Sequence, residues 1–143
     1  MSSLDLLVKN GTINSSYQSY KADIGISDGK IVEIGSIDSA AKHVIDATNL
    51  NILPGLIDTQ VHFREPGLVH KEDLQSGSRA AVLGGICTFF EMPNTKPATT
   101  SIQRVQEKID LAKKKSIANF GFYIGASEDN LEELLKAQEL GIK

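Results

Sequence analysis

The sequence has one cysteine, no tryptophan and no long apolar segment, and these absences exclude several classes of protein. With Cys87 alone no intrachain disulfide can form, so a cysteine-stabilised secreted scaffold is excluded. No apolar run approaches the ~18 residues of a membrane-spanning helix, and Met1–Asp5 lacks the regions of a signal peptide. We therefore expect a cytoplasmic protein without a membrane partner. Cys87 itself lies in the apolar stretch Ile86–Phe90, so we expect it to be buried.

An excess of positive charge is also missing. The chain has 15 Lys and Arg against 18 Asp and Glu, a net charge of -3. Its one basic cluster, Lys113–Lys115, falls at the end of a predicted helix, where positive side chains compensate the helix dipole. No aromatic residues interleave with this cluster, so we expect no nucleic-acid partner. A composition of 41% hydrophobic and 23% charged residues is typical of a globular protein.

Residues 1–53 have the pattern of a small β-rich module, which we expect to be part of a β-sandwich. Short alternating segments are separated by turn signals at Asn10–Gly11 and Asp28–Gly29. No helical periodicity occurs in this part of the chain. The predicted strands are Leu4–Val8, Ala22–Ile26, Ile31–Ile34 and His43–Ile45.

Residues 54–143 alternate between strand and helix patterns, which predicts βα units around a parallel sheet. Thr100 and Gln103 form a candidate capping box for the second helix, and Ser127 is the candidate N-cap of the third. The predicted strands are Ile52–Val61, Ile86–Met92 and Ala118–Ile124, and the predicted helices are Glu72–Leu83, Ser101–Lys114 and Glu128–Leu140.

Polar residues follow the first two of these strands. Gln60, His62 and Arg64 come where the first apolar run ends at Glu65–Gly67, and Asn94 follows the second strand. Alternation along an extended chain would place residues 60, 62 and 64 on one face. Histidine can bind a metal ion, and the planar guanidinium of arginine can bind a carboxylate through two hydrogen bonds. We therefore expect a candidate active site at this edge of the sheet.

The segment Asp58–Gly67, followed by Lys71–Asp73 and Glu91–Thr95, resembles dihydroorotase of the amidohydrolase superfamily. The resemblance implies a (β/α)₈ TIM-type barrel, which needs roughly 250 residues. The chain has 143, so it would be the N-terminal portion, with residues 54–143 forming the first three to four βα units. One position departs from the family pattern. Gln60 stands where the family has its first metal-binding histidine, and an amide oxygen is a poorer zinc ligand than imidazole.

The resemblance also implies an activity, the reversible hydrolysis of dihydroorotate to N-carbamoyl-aspartate in pyrimidine biosynthesis. One or two zinc ions would be bound by His62, weakly by Gln60, and by Lys143 as a carboxylated bridging lysine. Arg64 and Asn94 would bind the substrate carboxylate. The aspartate that acts as general base and the remaining histidine ligands would lie beyond residue 143, so this portion alone is expected to be inactive.

Two other functions stay open. The loss of a metal histidine at Gln60 favours an inactive dihydroorotase-like protein that acts as an assembly partner of aspartate transcarbamoylase. A different cyclic amidase, of the allantoinase or hydantoinase type, is the third hypothesis, and Arg64 with Met92–Thr95 argues against it. A homodimer is also left open by the sequence.

The 143-residue chain should hold little zinc, because a catalytic zinc ion ordinarily has three protein ligands and the sequence offers His62 with only weak help from Gln60. Elemental analysis of the dialysed chain tests this expectation. About one tightly bound zinc ion per chain, absent from His62→Ala, would contradict it.

Overall fold

The computed structural model describes residues 3–139, which form two compact units. The first unit ends at Pro54 and the second begins at Gly55. Lys143, expected to be a bridging ligand, and Leu140, the expected end of the last helix, lie outside the described residues. No helix in residues 3–139 is long and apolar enough to cross a membrane.

The first unit is built on one five-stranded sheet, in the order β3-β2-β1-β4 with β5 beside β1. Strands β1, β2 and β3 are antiparallel neighbours, whereas β4 and β5 run parallel to β1. The expected second layer of a sandwich is not formed by residues 3–54. The strands are β1 Leu4–Asn14, β2 Ser19–Ser27, β3 Lys30–Gly35, β4 Ala41–Asp46 and β5 Asn51–Ile52.

The two turn signals of this unit have different outcomes. Asp28 and Gly29 both have positive φ, 50° and 70°, which is the geometry of a two-residue hairpin turn between β2 and β3. Asn10–Gly11 is not a turn, and that prediction is wrong. Asn10 has φ 65° inside β1, where the pairing with β2 shifts register, and its N–H donates to Asp23 Oδ1 at 2.8 Å. The same sequence signal therefore makes a β-bulge here.

The second unit contains a three-stranded parallel sheet in the order β6-β7-β8, with helices between the strands. This is the expected α/β pattern, although residues 55–139 do not form a closed barrel. The predicted strand Ile52–Val61 is wrong, since Leu53–Gly55 separates β5 of the first sheet from β6 of the second. The elements are β6 Leu56–Val61, α1 Leu74–Leu83, β7 Ile86–Glu91, α2 Ile102–Lys115, β8 Asn119–Phe122 and α3 Leu131–Glu139.

The helix starts differ from the predicted caps. The N-cap of α2 is Ser101 rather than Thr100, and its side chain accepts a hydrogen bond from the N–H of Arg104. Ser127 lies four residues before α3 and does not cap it. The reason is Asn130, whose side-chain oxygen accepts the N–H of Ser127 and whose amide donates to Gly125 O at 2.8 Å. These bonds hold residues 125–130 as a loop and delay the helix.

Helices α1 and α2 cover one face of this sheet and form its hydrophobic core. Phe89 lies at the centre, fully buried, with the ring of Phe63 at 4.7 Å in an edge-to-face arrangement. Cys87 is exposed, so the prediction that it is buried is wrong. It lies over Gly55, which has no side chain to cover it. The core residues are Leu74, Phe89, Val105, Ala112, Ala118 and Phe122.

Leu74→Ala should destabilise the 143-residue chain far more than Leu83→Ala, although both leucines belong to α1. Leu74 is 0% exposed and Leu83 is 90% exposed. We expect a loss of about 2–5 kcal/mol in the free energy of unfolding for the first and less than ~0.5 kcal/mol for the second. Denaturant unfolding followed by circular dichroism measures both, and equal losses would contradict this core.

Candidate active site

His62 and Asn94 are brought together at the carboxyl ends of β6 and β7. The ring atom Nδ1 of His62 lies 2.9 Å from Oδ1 of Asn94. An amide oxygen only accepts hydrogen bonds, so in this orientation Nδ1 carries the proton and the lone pair of the neutral ring lies on Nε2. The bond thus leaves Nε2 able to bind a metal ion, and leaves the amide nitrogen of Asn94 able to donate.

The alternation that would align Gln60, His62 and Arg64 is interrupted at Arg64. The pairing of β6 with β7 is irregular between Asp58 and Val61, and the N–H of Gln60 donates to Asp58 Oδ1 at 3.0 Å. Arg64 has φ 67°, in the left-handed region, so the chain is no longer extended there. The prediction that residues 60, 62 and 64 share one face by alternation is therefore wrong at Arg64. The Gln60 side chain makes no hydrogen bond within residues 3–139.

A buried ion pair lies directly behind Arg64. Nζ of Lys108, from α2, is 2.7 Å from Oε2 of Glu91, the last residue of β7, and the two side chains are 1% and 0% exposed. The other carboxylate oxygen, Oε1, accepts the N–H of Arg64 at 2.9 Å. Burial raises the pKa of Glu91, and burial lowers the pKa of Lys108 although each partner opposes the shift. Lys108 also lies over the ring of Phe122, at 4.7 Å from the centroid.

A second buried carboxylate, Glu65, joins the same loop to both helices. Its Oε2 accepts the N–H of Leu74, the first residue of α1, at 3.0 Å. Its Oε1 forms an ion pair with Lys115 at the end of α2. The hydrogen bond to Glu65 raises the pKa of Lys115. Lys115, one of the three lysines of the basic cluster, thus connects α2 to the loop after β6. Its position at a helix end predicted only compensation of the helix dipole.

The loop after β7 packs against the loop after β6. Thr95 and Thr99 are buried and their hydroxyl oxygens lie 2.9 Å apart, which closes the loop that carries Asn94. The N–H of Lys96 donates to Pro66 O at 3.0 Å. Gly67 has φ 88°, and a Cβ on it would lie 1.8 Å from Lys96 O. Only glycine allows this approach of the two loops.

Glu91 and Lys108 were missed as site-forming residues, although the sequence contains a signal for each. Glu91 is the charged residue at the end of the apolar run that begins at Ile86. Lys108 lies between Val105 and Ala112, at the spacing that places all three on one face of α2. A charge on a buried face needs a partner of opposite sign, so the two could have been paired.

The described residues do not by themselves fit a metal ion. Residues 3–139 contain no group of three His, Cys, Asp or Glu side chains that could hold one. His62 can supply one imidazole ligand through Nε2, but Gln60 offers only an amide oxygen. A zinc centre would therefore need ligands from outside these residues.

Comparison with known proteins identifies the family of this chain. The family model described as dihydro-orotase-like matches residues 50–141, which include both site loops. The chain belongs to this family. Allantoinase of Salmonella paratyphi B is 40% identical over 141 residues, covering 98% of the chain and 31% of that protein. Allantoinase of Salmonella newport matches with the same values. The chain thus spans about a third of the length of these curated relatives.

Solved structures of a hydantoinase and a dihydropyrimidinase have the same fold over this length. The L-hydantoinase (dihydropyrimidinase) of Arthrobacter aurescens matches with a TM-score of 0.93 and 34% identity, over 97% of the chain and 32% of that protein. The dihydropyrimidinase of Brevibacillus agri matches with a TM-score of 0.80 and 31% identity, over 95% and 31%. These relatives are named for the cyclic amidases of the third sequence hypothesis, and none of them is named a dihydroorotase.

A more distant structure shows the fold alone. The N-acyl-D-glutamate deacylase of Bordetella bronchiseptica matches at 21% identity with a TM-score of 0.70, over 92% of the chain and 31% of that protein, and is described as complexed with zinc.

Gly67→Ala should destabilise the 143-residue chain more than Gly85→Ala does. Gly85 is a matched control, because its φ of 83° is close to the 88° of Gly67 but a Cβ there would meet nothing within 4 Å. We expect the left-handed strain of about 1 kcal/mol from both changes. The clash with Lys96 O should add about 1–3 kcal/mol for Gly67 alone. Chemical unfolding of the two variants compares them, and equal losses would refute the tight loop contact.

Proposed function

We propose that this chain is the N-terminal part of a zinc-dependent cyclic amidohydrolase that hydrolyses dihydroorotate to N-carbamoyl-aspartate. The observation that carries the proposal is the hydrogen-bonded pair His62–Asn94, with Arg64 two residues from His62 on the adjoining loop. Membership of the dihydro-orotase-like family supports the same reaction class.

The substrate class follows from the side chains available. Dihydroorotate carries a carboxylate beside its cyclic amide, and the guanidinium of Arg64 offers parallel N–H donors that match two carboxylate oxygens. The amide nitrogen of Asn94 adds a donor, since its oxygen is occupied by His62. Zinc, when bound, would polarise the carbonyl and activate water. His62 would be one of its ligands, Gln60 a weak one, and the others would come from outside the described residues.

The proposal includes the architecture of the whole protein. Residues 54–143 would be the first three to four βα units of a (β/α)₈ barrel, whose active sites lie at the carboxyl ends of the strands. The exposure of Leu56 and Ile57 on β6 supports this, because further strands would cover them. The match to a hydantoinase about three times as long also supports it.

Hydrolysis of an uncharged ring such as allantoin or a hydantoin is the second candidate. The specific observation in its favour is the 40% identity to proteins named allantoinase over nearly the whole chain. The third candidate is an inactive assembly partner of aspartate transcarbamoylase. Gln60, in place of a histidine ligand, is the residue that favours it. A homodimer is compatible with all three.

Arg64→Lys in the full-length protein should separate the first two candidates. Lysine keeps the charge but loses the paired donors, so kcat/KM for dihydroorotate should fall by a factor corresponding to about 2 kcal/mol, mainly through KM. Turnover of allantoin and hydantoin serves as the internal control and should change less than about twofold, because these rings have no carboxylate for Arg64. Ring opening followed by absorbance measures the first reaction.

The alternative outcomes are distinct. Turnover of allantoin or hydantoin without turnover of dihydroorotate would support the second candidate. No turnover of any ring with zinc present, also in Gln60→His, together with co-purification of aspartate transcarbamoylase, would support the assembly partner.

A further inference from the structure

The buried pair Glu91–Lys108 has a geometry that packing alone does not require. Oε2 of Glu91 faces Lys108 Nζ at 2.7 Å, but no aligned hydrogen bond is made to this oxygen within residues 3–139. Lys108 Nζ also approaches Met92 O, at 3.4 Å. Desolvation of two charges offsets most of their attraction, so a pair of this kind adds little net stability compared with apolar residues. The pair also makes a contact outside itself, with the backbone of Arg64.

What it holds is the backbone of Arg64. The N–H of Arg64 donates to Oε1 of Glu91 at 2.9 Å, and Arg64 has φ 67°, a conformation that costs free energy for a residue with a Cβ. Such a residue persists in this conformation only where its surroundings hold it. The side-chain direction of Arg64 depends on this backbone conformation, because φ decides where Cβ points.

The position of Glu91, which accepts that hydrogen bond, is fixed by the sheet. It ends the central strand β7, and its carbonyl oxygen accepts the N–H of Tyr123 at 3.1 Å from the β8 side. On the β6 side, the N–H of the next residue, Met92, donates to Val61 O at 3.0 Å. Asn94 follows three residues after Glu91. The carboxylate that holds Arg64 and the loop that carries Asn94 therefore start from the same point of the sheet.

We propose that Glu91 and Lys108 are positioning residues: Lys108 keeps a carboxylate buried behind the loop, and that carboxylate fixes the Arg64 backbone so that its guanidinium faces the substrate carboxylate. This inference rests on the proposed binding of an anionic cyclic amide by Arg64. It adds two residues, one of them on a helix outside the site loops, to those that determine which ring is bound.

Two double variants of the full-length protein separate positioning from packing. Glu91→Gln/Lys108→Met removes both charges but retains an amide oxygen that can accept the N–H of Arg64. Glu91→Leu/Lys108→Met removes the charges and the acceptor with a side chain of similar volume. Both replace a buried ion pair by a neutral pair, which proteins commonly tolerate. Their melting temperatures should agree within a few degrees, which is checked first.

The kinetic expectation is a difference between the two variants. KM for dihydroorotate should rise about tenfold in the Leu/Met variant relative to the Gln/Met variant, with kcat changed less, because the clamp on the carboxylate is misplaced. Turnover of any uncharged ring should be equal in both. Equal KM values for dihydroorotate in two folded variants would overturn the proposal. Should the Leu/Met variant not fold, Glu91→Asp, which keeps the charge but shortens the reach to Arg64, should show the same rise in KM.

A second measurement does not depend on turnover. Hydrogen exchange of the Arg64 amide, read by mass spectrometry on peptides spanning residues 62–68, should be faster in the Leu/Met variant than in the Gln/Met variant. Unchanged exchange would refute the positioning role whatever the activity. Faster exchange in a protein that turns over no dihydroorotate would support the positioning of Arg64 and contradict only the proposed substrate.

Discussion

Glu91 brings a carboxylate into the core at the end of the central strand, where an unpaired charge would cost several kcal/mol. Lys108 compensates it, and this requirement fixes α2 against the carboxyl end of β7. The second carboxylate oxygen is then available to the N–H of Arg64. One buried charge thus couples the packing of a helix to the conformation of a loop. The backbone conformation of Arg64 in the candidate site is therefore held by the Glu91–Lys108 pair, which lies behind the site loops.

Glu65 repeats this arrangement one residue after Arg64. Its carboxylate is bonded to the start of α1 and to Lys115 at the end of α2. The loop after β6 is therefore attached to both helices through side chains of opposite charge, and to the loop after β7 through Gly67 and Lys96. A loop held at three points loses little further entropy on binding, which is the physical basis of a preorganised site.

Local periodicity predicted the βα order of the second unit, and the predicted helices overlap α1, α2 and α3. Local periodicity failed to predict the structure where contacts between residues distant in sequence determine it. Ser127 was expected to begin a helix, but Asn130 bonds across the loop to Thr100 O and Gly125 O. The bulge at Asn10 depends on Asp23, thirteen residues away. His62 and Asn94 were predicted from the motif. Pairing Glu91 with Lys108 required the two local signals to be considered together, since the residues come from a strand and a helix that are distant in sequence.

Overall sequence similarity to the relatives indicates the fold of the chain more strongly than it indicates the substrate. Relatives named allantoinase and hydantoinase are 34–40% identical to the chain, and the hydantoinase has the same fold over the matched length. Core residues such as Phe89 and Leu74 pack against other apolar side chains and support the fold, and one fold can carry different reactions. In the proposed reaction, the charge of the ring that is bound would depend instead on a few loop side chains, of which Arg64 would distinguish an anionic from a neutral ring. Because the N–H of Arg64 is bonded to Glu91, the proposed substrate preference would be determined jointly by a loop residue and by the buried pair behind it.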